Sequence, residues 1–232
     1  MRLYCASLGI LVCALVGLAL AGCSGPSVPE RERVAPEEGL LERTTPEAVL
    51  WNLRLIYAEK DHQVETADDV QHWGEKYREL FHSDFKFYFI PEDAPPYLGQ
   101  DWWGTDDEVA AFEGLLAAVV SGAVSEVRLM WTVNPALPDV RVDGSGQPLH
   151  PGWMWVHVSS LLLDIVQSEN IYRVYASGDF YFAADPGDST LWVVTEWFDR
   201  EPGGWSGRHD TAGTELTAVV LTTWGRLKGL FR

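Results

Sequence analysis

Three polar side chains lie where their neighbours could shield a proton donor or acceptor from water. Glu196 alternates with Trp192, Val194 and Phe198, and a period of two puts all four on one face of a strand. If that face is buried, the carboxylate sits in a low dielectric, and its pKa rises unless a cation or several donors hold it charged. If the face is outside, Glu196 is a surface acid. His157 lies mid-strand with Trp153 and Trp155 on its face. It reads either as a general base or as a hydrogen-bonded histidine of the core. Asp84 stands two residues after His82 at a helix-to-strand corner, where an aspartate also serves by bonding local backbone amides. Metal chemistry has little footing. His62, His72 and His82 fall ten residues apart and the other histidines show no close ligand spacing. No Gly-rich phosphate loop, nucleophile elbow or paired-cysteine motif is present, so neither cofactor nor metal is expected.

The cysteines carry a different chemistry. Cys5, Cys13 and Cys23 all fall at the amino-terminal end. Met1-Arg2 forms a short positive start, and Leu3 to Leu20 is an uncharged apolar run that ends at Leu20-Ala21-Gly22-Cys23. The run approaches the roughly 20 residues of a membrane-spanning helix, so an uncleaved anchor is the competing account. The four closing residues resemble the lipobox of bacterial lipoproteins at every position. The resemblance implies residues 1–22 as a signal peptide, acyl chains on Cys23, and a cut before it. Ser24, in place of the aspartate that retains such proteins in the inner membrane, implies the outer membrane facing the periplasm if the source is Gram-negative. The mature chain then keeps no thiol for a disulfide or a metal.

The formal charge of −17 becomes −18 once Arg2 is removed with the signal. A surface this acidic repels phosphate backbones, and no basic stripe offsets it, so nucleic acid is not an expected partner. Hydrophobic residues make up 47% of the chain, enough for one sizeable core.

Residues 23–43 are rich in Pro, Glu and Arg and read as a flexible tether. Residues 44–232 read as one domain. Thr45-Pro46-Glu47 opens a helix with Val49, Leu50, Leu53, Ile56 and Tyr57 on its buried face. A second helix is expected near Ala67 to His82, striped by Val70, Trp73, Tyr77, Leu80 and Phe81. Phe85, Phe87 and Phe89 then alternate as a strand that stops at Pro91. Thr105 starts a third helix, with Glu108 completing a capping box and Gly122 as the stop. Strands are expected near Glu126–Val133, Trp153–Ile165, Ile171–Ala183, Leu191–Phe198 and Thr217–Trp224. Helices first and antiparallel strands after make an α+β chain, whose few helices must cover one face of a strongly curved sheet.

Three stretches in this order carry a family resemblance: Thr45-Pro46-Glu47 with Tyr57-Ala58-Glu59-Lys60-Asp61, Leu80-Phe81-His82-Ser83-Asp84-Phe85, and Leu191-Trp192-Val193-Val194-Thr195-Glu196-Trp197 with Thr223-Trp224-Gly225-Arg226-Leu227-Lys228. The chain resembles the nuclear transport factor 2-like (SnoaL-like) superfamily. This implies a cone: a curved antiparallel sheet packed on two or three N-terminal helices, with a pocket at the open end. Enzymes of this fold pair a carboxylate base with a tyrosine or a protonated aspartate as oxyanion donor. The resemblance therefore adds Tyr57, on the first helix, and Glu92-Asp93, after the first strand, to Glu196 and His157 as candidates. For the two acids a solvated turn is the competing account.

Eleven tryptophans complete the picture. Trp102-Trp103, Trp153, Trp155, Trp197 and Trp224 either line an apolar pocket or fill the core with large side chains. Two functions are left. One is a membrane-tethered domain that binds a small apolar ligand or a protein partner without catalysis. The other is a small-molecule isomerase or dehydratase working through a cavity carboxylate and tyrosine.

Overall fold

Helix α1 (Pro46–Tyr57) forms where expected. The Thr45 hydroxyl accepts from the Ala48 amide, and Val49, Leu50, Leu53 and Ile56 turn to the core. The computed structural model describes residues 39–57, 64–95, 98–168, 170–200, 218–222 and 224–232. Residues 1–22, expected to be a signal peptide, and Cys23 lie outside them. Docking begins before Thr44, inside the stretch expected to be tether. The Asn52 side chain bonds both the amide and the carbonyl of Leu41, and Arg43 pairs with Asp185. Among the described residues no helix is long and apolar enough to cross a membrane.

Helix α2 (Ala67–Arg78) is capped by a reciprocal Thr66–Asp69 box. It ends four residues earlier than its apolar stripe indicated, because Leu80 and Phe81 continue into the core from an extended chain. Strand β1 (Phe81–Tyr88) therefore starts at Phe81. After a 3-10 turn at Pro91–Asp93 and the short β2 (Trp102–Trp103) comes α3 (Thr105–Val120). The expected capping box is absent here. Gly104 is the cap, the Thr105 hydroxyl donates to the His82 carbonyl, and Glu108 is wholly buried. Gly122 closes the helix at φ +75°, a left-handed value that suits glycine.

Then follow β3 (Glu126–Val133), β4 (Leu137–Pro138), β5 (Met154–Val166), β6 (Asn170–Ala184), β7 (Trp192–Arg200) and β8 (Ala218–Thr222). The last expected strand stops short of Trp224, where helix α4 (Trp224–Leu230) begins. Among the described residues one sheet runs β2-β1-β7-β6-β5-β3, with β4 on β5 and β8 on β6. It is not wholly antiparallel: β1 pairs with β7, and β6 with β8, in parallel. The long β6 pairs with β5 along one side and divides the other, giving its first residues to β8 and its last to β7. Register shifts in β1, β3, β5, β6 and β7 give the sheet its bend. The concave side holds the core, led by Phe85, Phe87, Phe180, Phe182 and Trp197. The α+β class with a curved sheet on helices stands as expected.

Candidate functional site

The cone interior is where a carboxylate and a tyrosine would meet a substrate. Tyr57 does reach it. Its hydroxyl lies 3.2 Å from that of Tyr77, which donates to Glu108 Oε1 at 2.5 Å. Trp103 Nε1 donates to the other oxygen at 3.0 Å. Sequence reasoning placed Glu108 in a helix cap and missed this carboxylate. The legible signal was an acid in step with Phe112 and Leu115, on the apolar face of α3.

A lysine already occupies the carboxylate. Lys228 Nζ on α4 bonds both Glu108 oxygens at 2.7 Å. Its ammonium also lies 3.8 Å from the Phe87 ring centroid and 4.0 Å from that of Trp197, so aromatic faces supply the rest of its solvation. Burial draws its pKa down to about 8 against the pull of Glu108. Burial, then the Glu108 charge, pushes the Tyr57 phenol well above its ordinary range; Tyr77 moves the same way for the same reasons. Nearby, burial pushes Asp199 up to about 7 against the Lys228 charge; its carboxylate takes the Gly225 amide at the start of α4.

Helix α4 packs against α3 and β6. Trp224, Leu227 and Lys228 are buried there, and the void beside them measures about 10 Å³. That is at the limit of a single water. Trp224 Nε1 has no hydrogen-bond partner among the described residues. Two further ion pairs hold this end of the chain, Arg226 on the helix to Asp93 at 2.6 Å and Arg232 after it to Asp107. Asp93 is thus neither a solvated turn nor a free base, whereas Glu92 is exposed. Every acceptor on Glu108 has a donor, so the group can take a proton from a substrate only if α4 leaves.

Glu196 lies on the opposite side of the sheet. Thr195 falls out of register with both neighbours: Val194 and Glu196 pair with Phe182 and Tyr181 on β6, and with Phe81 and Lys86 on β1. The extra residue reverses the alternation, as a bulge must. Val194 points into the core, Trp197 and Asp199 follow it inward, and Glu196 and Phe198 turn out. Phe198 stacks flat on Tyr88 at 4.3 Å on that outer face. Glu196 accepts from Arg141 at 2.6 Å, and Arg141 is clamped by Asp139 and lies 3.5 Å from the Tyr181 ring centroid. His157 shares the outer face, half-buried, with Nδ1 2.8 Å from Asp179, which Trp155 and Arg200 also bond. Asp84 is exposed beside His82.

A groove of about 650 Å³ opens over the bulge. Thr195 and Glu196 form its floor, and Ser83 and Asp84 line it where β1 swings away from β7. Trp102 stands on one side with Lys86 over its ring at 4.7 Å. Trp153, stacked on His150 at 3.9 Å, stands toward the loop that carries Arg141. The tryptophans thus divide: Trp103, Trp197 and Trp224 pack the core, while Trp102, Trp153 and Trp155 dress the outer face. Among the described residues no three His, Cys, Asp or Glu side chains converge as metal ligands.

No family model and no curated protein matches the chain. Solved structures do, at low identity. The beta subunit of benzoate 1,2-dioxygenase from Burkholderia mallei is 9% identical, with 66% of this chain and 85% of that one covered and a TM-score of 0.41. Naphthalene 1,2-dioxygenase with indole bound is 11% identical over 73% and 82%, at 0.42. An NTF2-like protein with a cystatin-like fold from Novosphingobium aromaticivorans is 13% identical over 68% and 84%, at 0.37. Likeness at this level carries nothing about activity. The chain's own architecture identifies it as an α+β protein built as a curved sheet wrapped on helices, the cone that the resemblance implied.

Proposed function

We propose that the mature protein is a lipid-anchored binding domain without catalysis of its own, which takes a small ligand on the outer face of its sheet. The anchor rests on the lipobox at Cys23. The observation that carries the rest is Lys228 seated on Glu108: among the described residues the interior carboxylate is occupied, while a groove of about 650 Å³ stands open outside. The groove falls in the size range of ligand sites, and bulges like those around Thr195 gather beside them. The isomerase or dehydratase reading needs the same Glu108 and tyrosines free, and the occupied carboxylate weighs against it.

A crystallographic soak with a chemically mixed fragment set tests this reading. Fragments are expected between Trp102 and Trp153. A fragment seated against Glu108, with α4 displaced, would restore the enzyme reading.

A further inference from the structure

We infer that the groove's ligand is a neutral saccharide. The inference rests on the groove being the binding site and asks what its walls and floor recognise.

Anions meet a chain of charge −17 and two carboxylates, Glu196 and Asp84, in the groove itself. A cation would seek an aromatic face or a carboxylate: Lys86 already lies over Trp102, Arg141 covers Tyr181 and pairs with Glu196, and Asp84, whose side chain is 89% exposed, would hold one only weakly through water. A plain hydrocarbon would bury the Glu196–Arg141 pair without replacing its remaining water contacts, which is unfavourable. An extended peptide would need a regular, open sheet edge, and the β1 stretch over the groove offers none: its register with β7 breaks between Phe81 and Lys86, and the Thr105 hydroxyl already bonds the His82 carbonyl.

A sugar meets each demand. The C–H bonds on a pyranose face carry slight positive charge and suit the negative face of an indole ring. Trp102 and Trp153 line the two sides of the groove; Lys86 covers one face of the first and His150 stacks on one face of the second, so the sugar takes the other face of each. Hydroxyl groups both donate and accept. Glu196, held by Arg141, which Asp139 orients in turn, is a pre-set acceptor; Asp84 and Ser83 stand out on the bulge, and Lys86 is a donor. The carboxylate needs no reorganisation when the ligand arrives, which favours affinity.

The test uses the full chain purified in a non-glycosidic detergent, titrated calorimetrically with chitotriose, cellotriose and maltotriose. At least one is expected to bind. Trp102→Leu and Trp153→Leu should each weaken it about tenfold. Trp51→Leu, which removes an exposed ring on α1, should leave it unchanged. Trp102→Phe should fall between, and circular dichroism should show every variant folded. Failure of all three sugars, or binding indifferent to both groove tryptophans, overturns the inference. If fragments seat in the groove and no sugar does, the groove stands and the saccharide falls. If nothing seats there, both fall.

Discussion

Lys228→Met is expected to destabilise the domain by about 3–5 kcal/mol, the usual cost of removing one partner from a buried ion pair. The pair is almost wholly out of water, with side-chain exposures of 5% for Lys228 and 0% for Glu108. Methionine keeps much of the volume against Phe87 and Trp197. What remains is a carboxylate with Tyr77 and Trp103 as donors and no cation. The double change Glu108→Gln with Lys228→Met removes both charges and should recover much of the loss. Urea unfolding followed by tryptophan fluorescence measures both. A single variant within about 1 kcal/mol of wild type would mean that the lysine is not seated in the cone.

Cys23→Ser is expected to change the fate of the whole chain. Without the thiol no diacylglyceryl group is attached, the dedicated peptidase has no substrate, and the precursor keeps residues 1–22. Each buried methylene contributes about 0.8 kcal/mol of membrane affinity, so two or three chains hold firmly where one does not. Intact mass of the membrane fraction separates the outcomes: a shortened, acylated chain for wild type, and an unprocessed, unacylated chain for the variant. Normal processing of the variant would refute the lipoprotein reading.

Much of the fold was legible because its elements carry strong periods. Val49, Leu50, Leu53 and Ile56 mark α1, and Phe85 and Phe87 mark β1. Strand β3 has the expected bounds because its alternation is not interrupted until Val133. The candidate site was less legible, for three physical reasons. A bulge is a register shift that alternation cannot show, so Glu196 was placed on the face that Trp197 occupies. An acid in the first turn of a helix suits capping and burial equally well by spacing, and the partner that decides for Glu108 is 120 residues away. Helix α4 is only seven residues long, too short for Trp224, Leu227 and Lys228 to show a helical period, so Trp224 was given to the strand before it and residues 225–232 to no element. Tyr57 was placed correctly inside the cone, because a helix face read over three turns leaves little freedom.

The central claim is a closed interior beside an open outer groove, and one measurement on the unmodified fold addresses it. In the full chain labelled with 5-fluorotryptophan, each indole reports its access to a neutral, water-soluble paramagnetic agent through broadening of its fluorine resonance, once single Trp→Phe variants have assigned the signals. The account predicts that Trp102 and Trp153 broaden strongly while Trp103, Trp197 and Trp224 stay sharp, since the last three are at most 1% exposed. Broadening of Trp197 and Trp224 to the level of Trp102 would contradict it, because it would mean that α4 leaves the cone and that Glu108 meets solvent.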